Sequence, residues 1–262
     1  MGHGSYDVLG RRWALALVAL LLLLTGCELT STSAAGPHPH RHHERAKAHV
    51  THRARHSSKA PETPQRVELP PNAAAAEAEL DRLVVRPRPQ GTEGYVRAGF
   101  GSSWVDTDHD GCNQRDDVLL RDAVPGTTTV GHQGACDHDV LAGTWHDPYT
   151  GRLLTFTDLK DLHQAEAIQI DHIVPLAEAW VSGARHWSRD RREAFANDLH
   201  ELLAVDGPTN MGKGDDDPAA WRPRKGYQCA YARRWIGVKG RYGLAVDPPE
   251  KAALEEMLGY CR

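Results

Sequence analysis

The chain has 262 residues, 40% of them hydrophobic, and a formal net charge of −4. This length suffices for one sizeable core or two small ones, and no internal run is apolar and long enough to span a bilayer. The mild acidity argues against a protein that holds polyanions by bulk electrostatics alone.

At the N-terminus, Arg11 and Arg12 precede an unbroken apolar stretch from Trp13 to Leu24, which ends in Thr25-Gly26-Cys27. A basic flank, a short apolar core and small residues at the cut predict a signal peptide over residues 1–27. The stretch is shorter than the roughly 20 residues of a membrane-spanning helix, so an uncleaved anchor is the weaker reading. Leu24-Thr25-Gly26-Cys27 resembles a lipoprotein lipobox, which implies lipid on Cys27 and a membrane-anchored or secreted, extracytoplasmic bacterial protein. A plain secretory signal with a coincidental cysteine is the alternative. Arg11-Arg12 also fits twin-arginine export weakly, without that motif's flanking residues.

Residues 28–71 are rich in Ser, Thr, Pro, His and Arg and hold almost no large apolar side chains, which predicts a disordered tether. Its interleaved histidines and arginines, such as His40, Arg41, His42 and His43, suit a solvated spacer or one that binds metal or anionic polymers. The folded domain is expected over 72–262, as a monomer. Asn72 is placed to cap a helix from Ala73 to Val85, with Leu80, Leu83 and Val84 on one face. From Gly91 to Gly151 the chain is dense in Gly, Asp and aromatics and reads as loops and short strands. Within it, Asp106, Asp108, Asp110 and Asp117 match much of a calcium-loop pattern, with aspartate in place of the usual last glutamate. A Gly-terminated acidic turn is the plainer reading. Trp145 and Tyr149 are expected to pack in a core rather than stack on a ligand.

Further on, a short helix from Thr157 or Asp158 to Ala167 leads into Ile168-Gln169-Ile170, which alternates like a strand. A helix over Ser188–Asn197, a strand over Leu202–Val205 and a turn at Asp206-Gly207-Pro208 follow, and then a helix opened by Thr209 or Asn210. The last helices are expected over Gln228–Ile236 and Glu250–Leu258.

Cys112, Cys136, Cys229 and Cys261 form an even set in an exported chain, which predicts two disulfides. Of three possible pairings, Cys112 with Cys136 and Cys229 with Cys261 is favoured because each closes a local loop. None lies in a C-x-x-C pair, which argues against structural zinc.

Chemistry concentrates at Asp171-His172-Ile173-Val174-Pro175. A histidine titrating near ~6.5 takes a proton from water at neutral pH, and a neighbouring carboxylate is a hard donor for a divalent cation. Strand alternation puts the two side chains on opposite faces unless the backbone bends. This run, followed by Ala196-Asn197-Asp198-Leu199, Leu202-Leu203-Ala204-Val205 and Asn210-Met211-Gly212-Lys213-Gly214, resembles the HNH endonucleases of the ββα-metal superfamily. Trp145–Gly151 and Gly111–Asp116 also have counterparts in a secreted bacterial group of that family. The resemblance covers residues 80–262.

It implies an α+β fold with a ββα-metal core embedded in helices and loops and stapled by disulfides. It also implies hydrolysis of nucleic acid, DNA foremost. His172 matches the general base, Asp171 and Asn210 the metal ligands, and Asn197 a residue that orients the base. Since neither ligand is histidine, Mg2+ or Mn2+ is favoured. Lys213, Arg115, Arg233 and Arg234 are candidate nucleic-acid contacts, the last two within a basic stretch interleaved with aromatics. The rival from another class is a non-catalytic, Ca2+-stabilised surface or wall-binding lipoprotein. No H-E-x-x-H or G-x-S-x-G motif points to another hydrolase.

Overall fold

Asn72 accepts a hydrogen bond from the Ala75 amide and starts helix α1 (Ala73–Leu80). The structure, a computed structural model, describes residues 69–261, so the signal peptide, Cys27 and almost all of the tether lie outside the described residues. The tether's last residues, Leu69 and Pro70, belong to the fold, because the Pro70 carbonyl accepts from Arg233. Helix α1 stops before the expected Val85. Val84 and Val85 instead run extended beside Val246, which leaves Val84 exposed while Leu80 and Leu83 are buried.

After a short 3-10 helix at Arg97–Phe100 comes α2 (Gln114–Asp122), capped by the Asn113 side chain. Strands β1 (Thr129–Gln133), β2 (Cys136–His146) and β3 (Leu153–Phe156) form an antiparallel meander. Helix α3 (Leu162–Ala167), capped by Asp161, passes without a loop into β4 (Ile168–His172). Pro175 then opens α4 (Leu176–Ser182), and Ser188 caps α5 (Arg189–Ala196). Strand β5 (Leu202–Asp206) runs directly into α6 (Gly207–Lys213), whose first turn is capped by the Asp206 carboxylate. Helices α7 (Lys225–Tyr242) and α8 (Pro248–Leu258) complete the chain, the latter with an Asp247–Glu250 capping box.

Among the described residues, strands β4 and β5 pair only with each other, antiparallel, with Asp171 opposite Leu203 and His172 opposite Leu202. This ribbon lies between two cores. Leu203 and Val205 face the larger one with Tyr231, Trp235 and Phe195, while Leu202 and Ala204 face a smaller one with Val118, Leu119 and Trp145. Strict alternation between two apolar environments explains why every residue of β5 is buried. Gly207 lets α6 begin against the end of α3, since a Cβ there would fall 2.3 Å from the Glu166 carbonyl oxygen.

Disulfides join Cys112 to Cys136 and Cys229 to Cys261, the pairing favoured from the sequence. Loops of 24 and 32 residues place each bond at about 3–4 kcal/mol by chain entropy. No helix among the described residues is long and apolar enough to cross a membrane.

Candidate active site

Strand alternation sends the last two residues of β4 in opposite directions. His172 turns toward the C-terminus of α5, where its Nε2 lies 2.9 Å from the Ala196 carbonyl oxygen. A carbonyl only accepts, so Nε2 carries the proton and Nδ1 is the basic nitrogen of the neutral ring. Burial, only partly offset by that carbonyl, pulls the His172 pKa down to about 3. The imidazole therefore stays neutral across the physiological range.

Asp171 turns toward α6. Its two carboxylate oxygens lie 2.9 and 2.8 Å from Lys213 Nζ, which also donates to the His172 carbonyl at 2.7 Å, and the Tyr149 hydroxyl donates to Oδ2. Burial pushes the Asp171 pKa up, and Lys213 and Tyr149 pull it back. Beside this pair, burial raises the Glu201 pKa well above its ordinary value, and its Oε1 accepts from the Val174 amide, fixing the chain just after β4.

Both residues line a cavity of about 400 Å³ at the unpaired edge of β4, together with Arg97, Arg115, Gln169 and Asn210. Asn210 projects from α6 and donates to Gln169 Oε1 at 2.9 Å, which leaves its own carbonyl oxygen as an acceptor. Arg115 reaches the cavity from α2 while donating to the Ala165 and Ile168 carbonyls. The expected trio of Asp171, His172 and Asn210 is thus brought together, with Arg115 beside it.

Other expected site residues are placed by burial and by the partners they hold. Lys213 is not free for phosphate: its side chain is fully buried and its ammonium is spent on Asp171. Asn197 spends its side-chain hydrogen bonds away from the imidazole. Its Oδ1 accepts from the Val105 amide and its Nδ2 donates to the Ser102 and Glu193 carbonyls, so it holds the 102–105 loop and the end of α5. Arg233 donates to Pro70, and Arg234 to the carbonyls of Leu199, His200 and Leu202. The aromatics interleaved with that basic stretch pack on the larger core. Substituting Arg234 by Ala should cost about 2 kcal/mol, the scale of hydrogen bonds to a charged group. Urea unfolding measures that loss, and the salt dependence of nucleic-acid binding should not change.

The acidic loop does not form one ligand set. Carboxylate oxygens of Asp106, Asp108 and Asp110 lie within 4.8 Å of one another, whereas Asp117 groups with Asp110 and His138. Asp106 already accepts from the His109 and Gly111 amides. Asp117 Oδ1 pairs with His138 at 2.9 Å, and its buried Oδ2 has no hydrogen-bond partner. Trp145 and Tyr149 are buried, as expected.

Two residues escaped the sequence reading. Arg97 projects from the 3-10 helix into the cavity, and the Trp104 ring lies nearly parallel to His172, at 14°, with centroids 6.4 Å apart. A lone tryptophan between Gly101-Ser102-Ser103 and an acidic loop was the available signal for Trp104. Arg97 carried none.

The family model for the C-terminal domain of GmrSD restriction endonucleases matches residues 114–257, more than half of the chain. The chain belongs to the GmrSD C-terminal-domain family. This GmrSD-type domain is also 42% identical over 206 residues to an "Uncharacterized secreted protein" of Arthroderma benhamiae, a match covering 76% of this chain and 92% of that one. No solved structure matches. The segment matched to the GmrSD domain runs from the start of α2 into α8 and holds Asp171, His172, Asn197, Asn210 and Lys213, with Arg97 and Trp104 upstream.

Proposed function

We propose that this GmrSD-type domain is an extracellular, divalent-cation-dependent endonuclease of the HNH type, with His172 as general base. One observation carries the reading: the His172 imidazole, its tautomer set by the Ala196 carbonyl, lines one cavity with the Asp171 carboxylate, the Asn210 amide and the guanidinium groups of Arg97 and Arg115. Strand β4, then β5 after the intervening α4 and α5, with α6 following β5 at once, supports a ββα-metal reading.

The donors suit a hard cation. A carboxylate offers about four lone-pair directions. Lys213 takes one on each Asp171 oxygen and Tyr149 takes another on Oδ2, which leaves one on Oδ1. Asp171 and Asn210 would hold Mg2+ or Mn2+, with Lys213 and Tyr149 fixing the carboxylate from behind. A divalent cation bound there supplies neutralisation of the charge that develops on the phosphate. Nδ1 of His172 takes the proton from the water that bonds to phosphorus, Arg97 and Arg115 hold the phosphate for in-line attack, and the ester P–O bond opposite breaks as its oxygen takes a proton from solvent.

Burial of His172 favours its neutral form, which sets the sign of the pH dependence. With a folded pKa near 3, the base form persists well below ~6.5, so cleavage should hold through pH 5 at saturating cation. The same depressed pKa means that stability is intact above the unfolded value and falls as pH drops below it. A pH profile of Mg2+-dependent hydrolysis of a simple phosphodiester tests this. An acid limb at the ordinary histidine value would remove His172 as the buried base.

The two disulfides and the secreted relative support an extracellular location. Lipid attachment at Cys27 is part of the proposal, on the lipobox alone.

A second, non-catalytic reading, a calcium-stabilised surface protein, rests on the partnerless Asp117 Oδ2 beside Asp110 and His138. An ion bound only to the folded state stabilises it by mass action, about 2.7 kcal/mol at a hundred times Kd. On this reading millimolar Ca2+ raises the melting temperature of the natural chain and not of Asp110→Asn. Equal shifts in the two proteins, or no shift, would discard it.

A further inference from the structure

His172, Arg97, Trp104 and Leu176 line a second hollow as well, of about 270 Å³, so the two cavities meet at the imidazole. The second hollow differs chemically from the first. Its walls include Phe100, Leu176 and Ala196, its rim the exposed Ser102 and Ser103, and no carboxylate among the described residues lines it. An apolar surface with an aromatic face, a hydroxyl rim and a guanidinium beside the catalytic base suits a planar heterocycle attached to a phosphate.

Trp104 is held there at a cost. Its φ of 59° is unusual for a bulky side chain, and such conformations persist where neighbours over-determine them. Asn197 is that neighbour. It is buried, and it binds the chain on both sides of the tryptophan, through the Ser102 carbonyl and the Val105 amide.

Resting on the nuclease reading, we propose that this hollow receives an unpaired nucleobase next to the scissile phosphate, stacked on Trp104, so that single-stranded DNA is preferred over duplex. A base can enter such a hollow only after leaving its stack, which a single strand does at little cost. Trp104 is then a specificity-determining residue, and Asn197 a positioning residue that acts through it.

Fluorescence anisotropy with a labelled single-stranded DNA oligonucleotide and the same sequence as duplex, in EDTA, tests the subsite without catalysis. The natural chain should bind the single strand more tightly. Trp104→Ala should weaken that binding about tenfold, the scale of one lost stack, with little change for duplex, and Trp104→Phe should recover most of it. Equal or tighter duplex binding, no binding to either, or an equal loss on both in Trp104→Ala would overturn the proposal. Cleavage in Mg2+ separates the two readings: a single-strand preference in binding with no cleavage of either DNA contradicts the nuclease alone. Cleavage with binding indifferent to Trp104 contradicts the subsite alone. Where cleavage occurs, the Trp104→Ala effect should fall on KM more than on kcat.

Discussion

Lys213→Met should destabilise the fold by about 3–5 kcal/mol, the usual result of removing one partner from a buried ion pair. The lysine side chain is fully buried, that of Asp171 is 6% exposed, and two of the three bonds of the ammonium go to that carboxylate. Methionine fills a similar volume but leaves a buried charge with the Tyr149 hydroxyl as its remaining hydrogen-bond donor among the described residues. Protonation would relieve part of the strain, so the loss should shrink toward low pH. Asp171→Asn added to Lys213→Met should restore part of the stability, because it removes the stranded charge. Urea denaturation of the two single variants and the double variant gives the coupling energy. A loss under about 1 kcal/mol in Lys213→Met would mean that the lysine is not committed to Asp171, and would return it to consideration as a phosphate contact.

The second large effect is chemical. His172→Ala should lower turnover by about two to four orders of magnitude, the range that general base catalysis supplies. The fold should change little, since the ring makes one hydrogen bond, to Ala196, at the end of a ribbon held by five paired positions and two cores. Far-ultraviolet circular dichroism and the melting temperature check that half. Asn210→Ala should behave differently: a weaker cation ligand shows first as a higher Mg2+ requirement, and saturating cation should recover much of the rate.

The ribbon that carries the site was legible because its signals are local. Ile168-Gln169-Ile170 alternates, Pro175 breaks the strand, and Asp206-Gly207-Pro208 marks a boundary that proved to be the capped first turn of α6 rather than a separate turn. Asn72 was readable as a cap for the same reason. Helix α4 left no such trace. Leu176, Ala177, Glu178, Ala179, Val181 and Ser182 are all buried, and a helix covered on every side has no amphipathic period. In α2 the acidic first turn resembled a loop, and its neighbouring Val118 and Leu119 carry too short a pattern to declare a helix. Helix α7 was underestimated because Gly237 lowers helix propensity, yet that glycine admits Pro70, whose Cδ would lie 2.7 Å from a Cβ there.

The site followed the same division. Asp171, His172 and Asn210 were legible as residue types at a spacing, and the structure gathers them around one cavity. What they touch was not legible. Lys213 stands one turn from Asn210 on a short helix, and only the path of β4 beneath it decides that its ammonium reaches a carboxylate instead of solvent. Arg233 and Arg234 looked like a basic track because charge is visible in sequence and carbonyl partners 32 to 163 positions away are not. Arg97 and Trp104 reach His172 from a segment some seventy residues upstream, a proximity that no local pattern encodes.

The most direct test takes the disulfide-intact protein and its His172→Ala variant to single-stranded DNA, plasmid DNA and RNA, each with Mg2+ or Mn2+ and again with EDTA, and follows chain cleavage on a gel. Cleavage by the natural protein that requires the cation, vanishes in EDTA and is lost in His172→Ala is the expected result. A folded natural protein that cuts none of these with either cation, or a His172→Ala variant that cuts as well as its parent, would contradict the assignment of this cavity as a nuclease site.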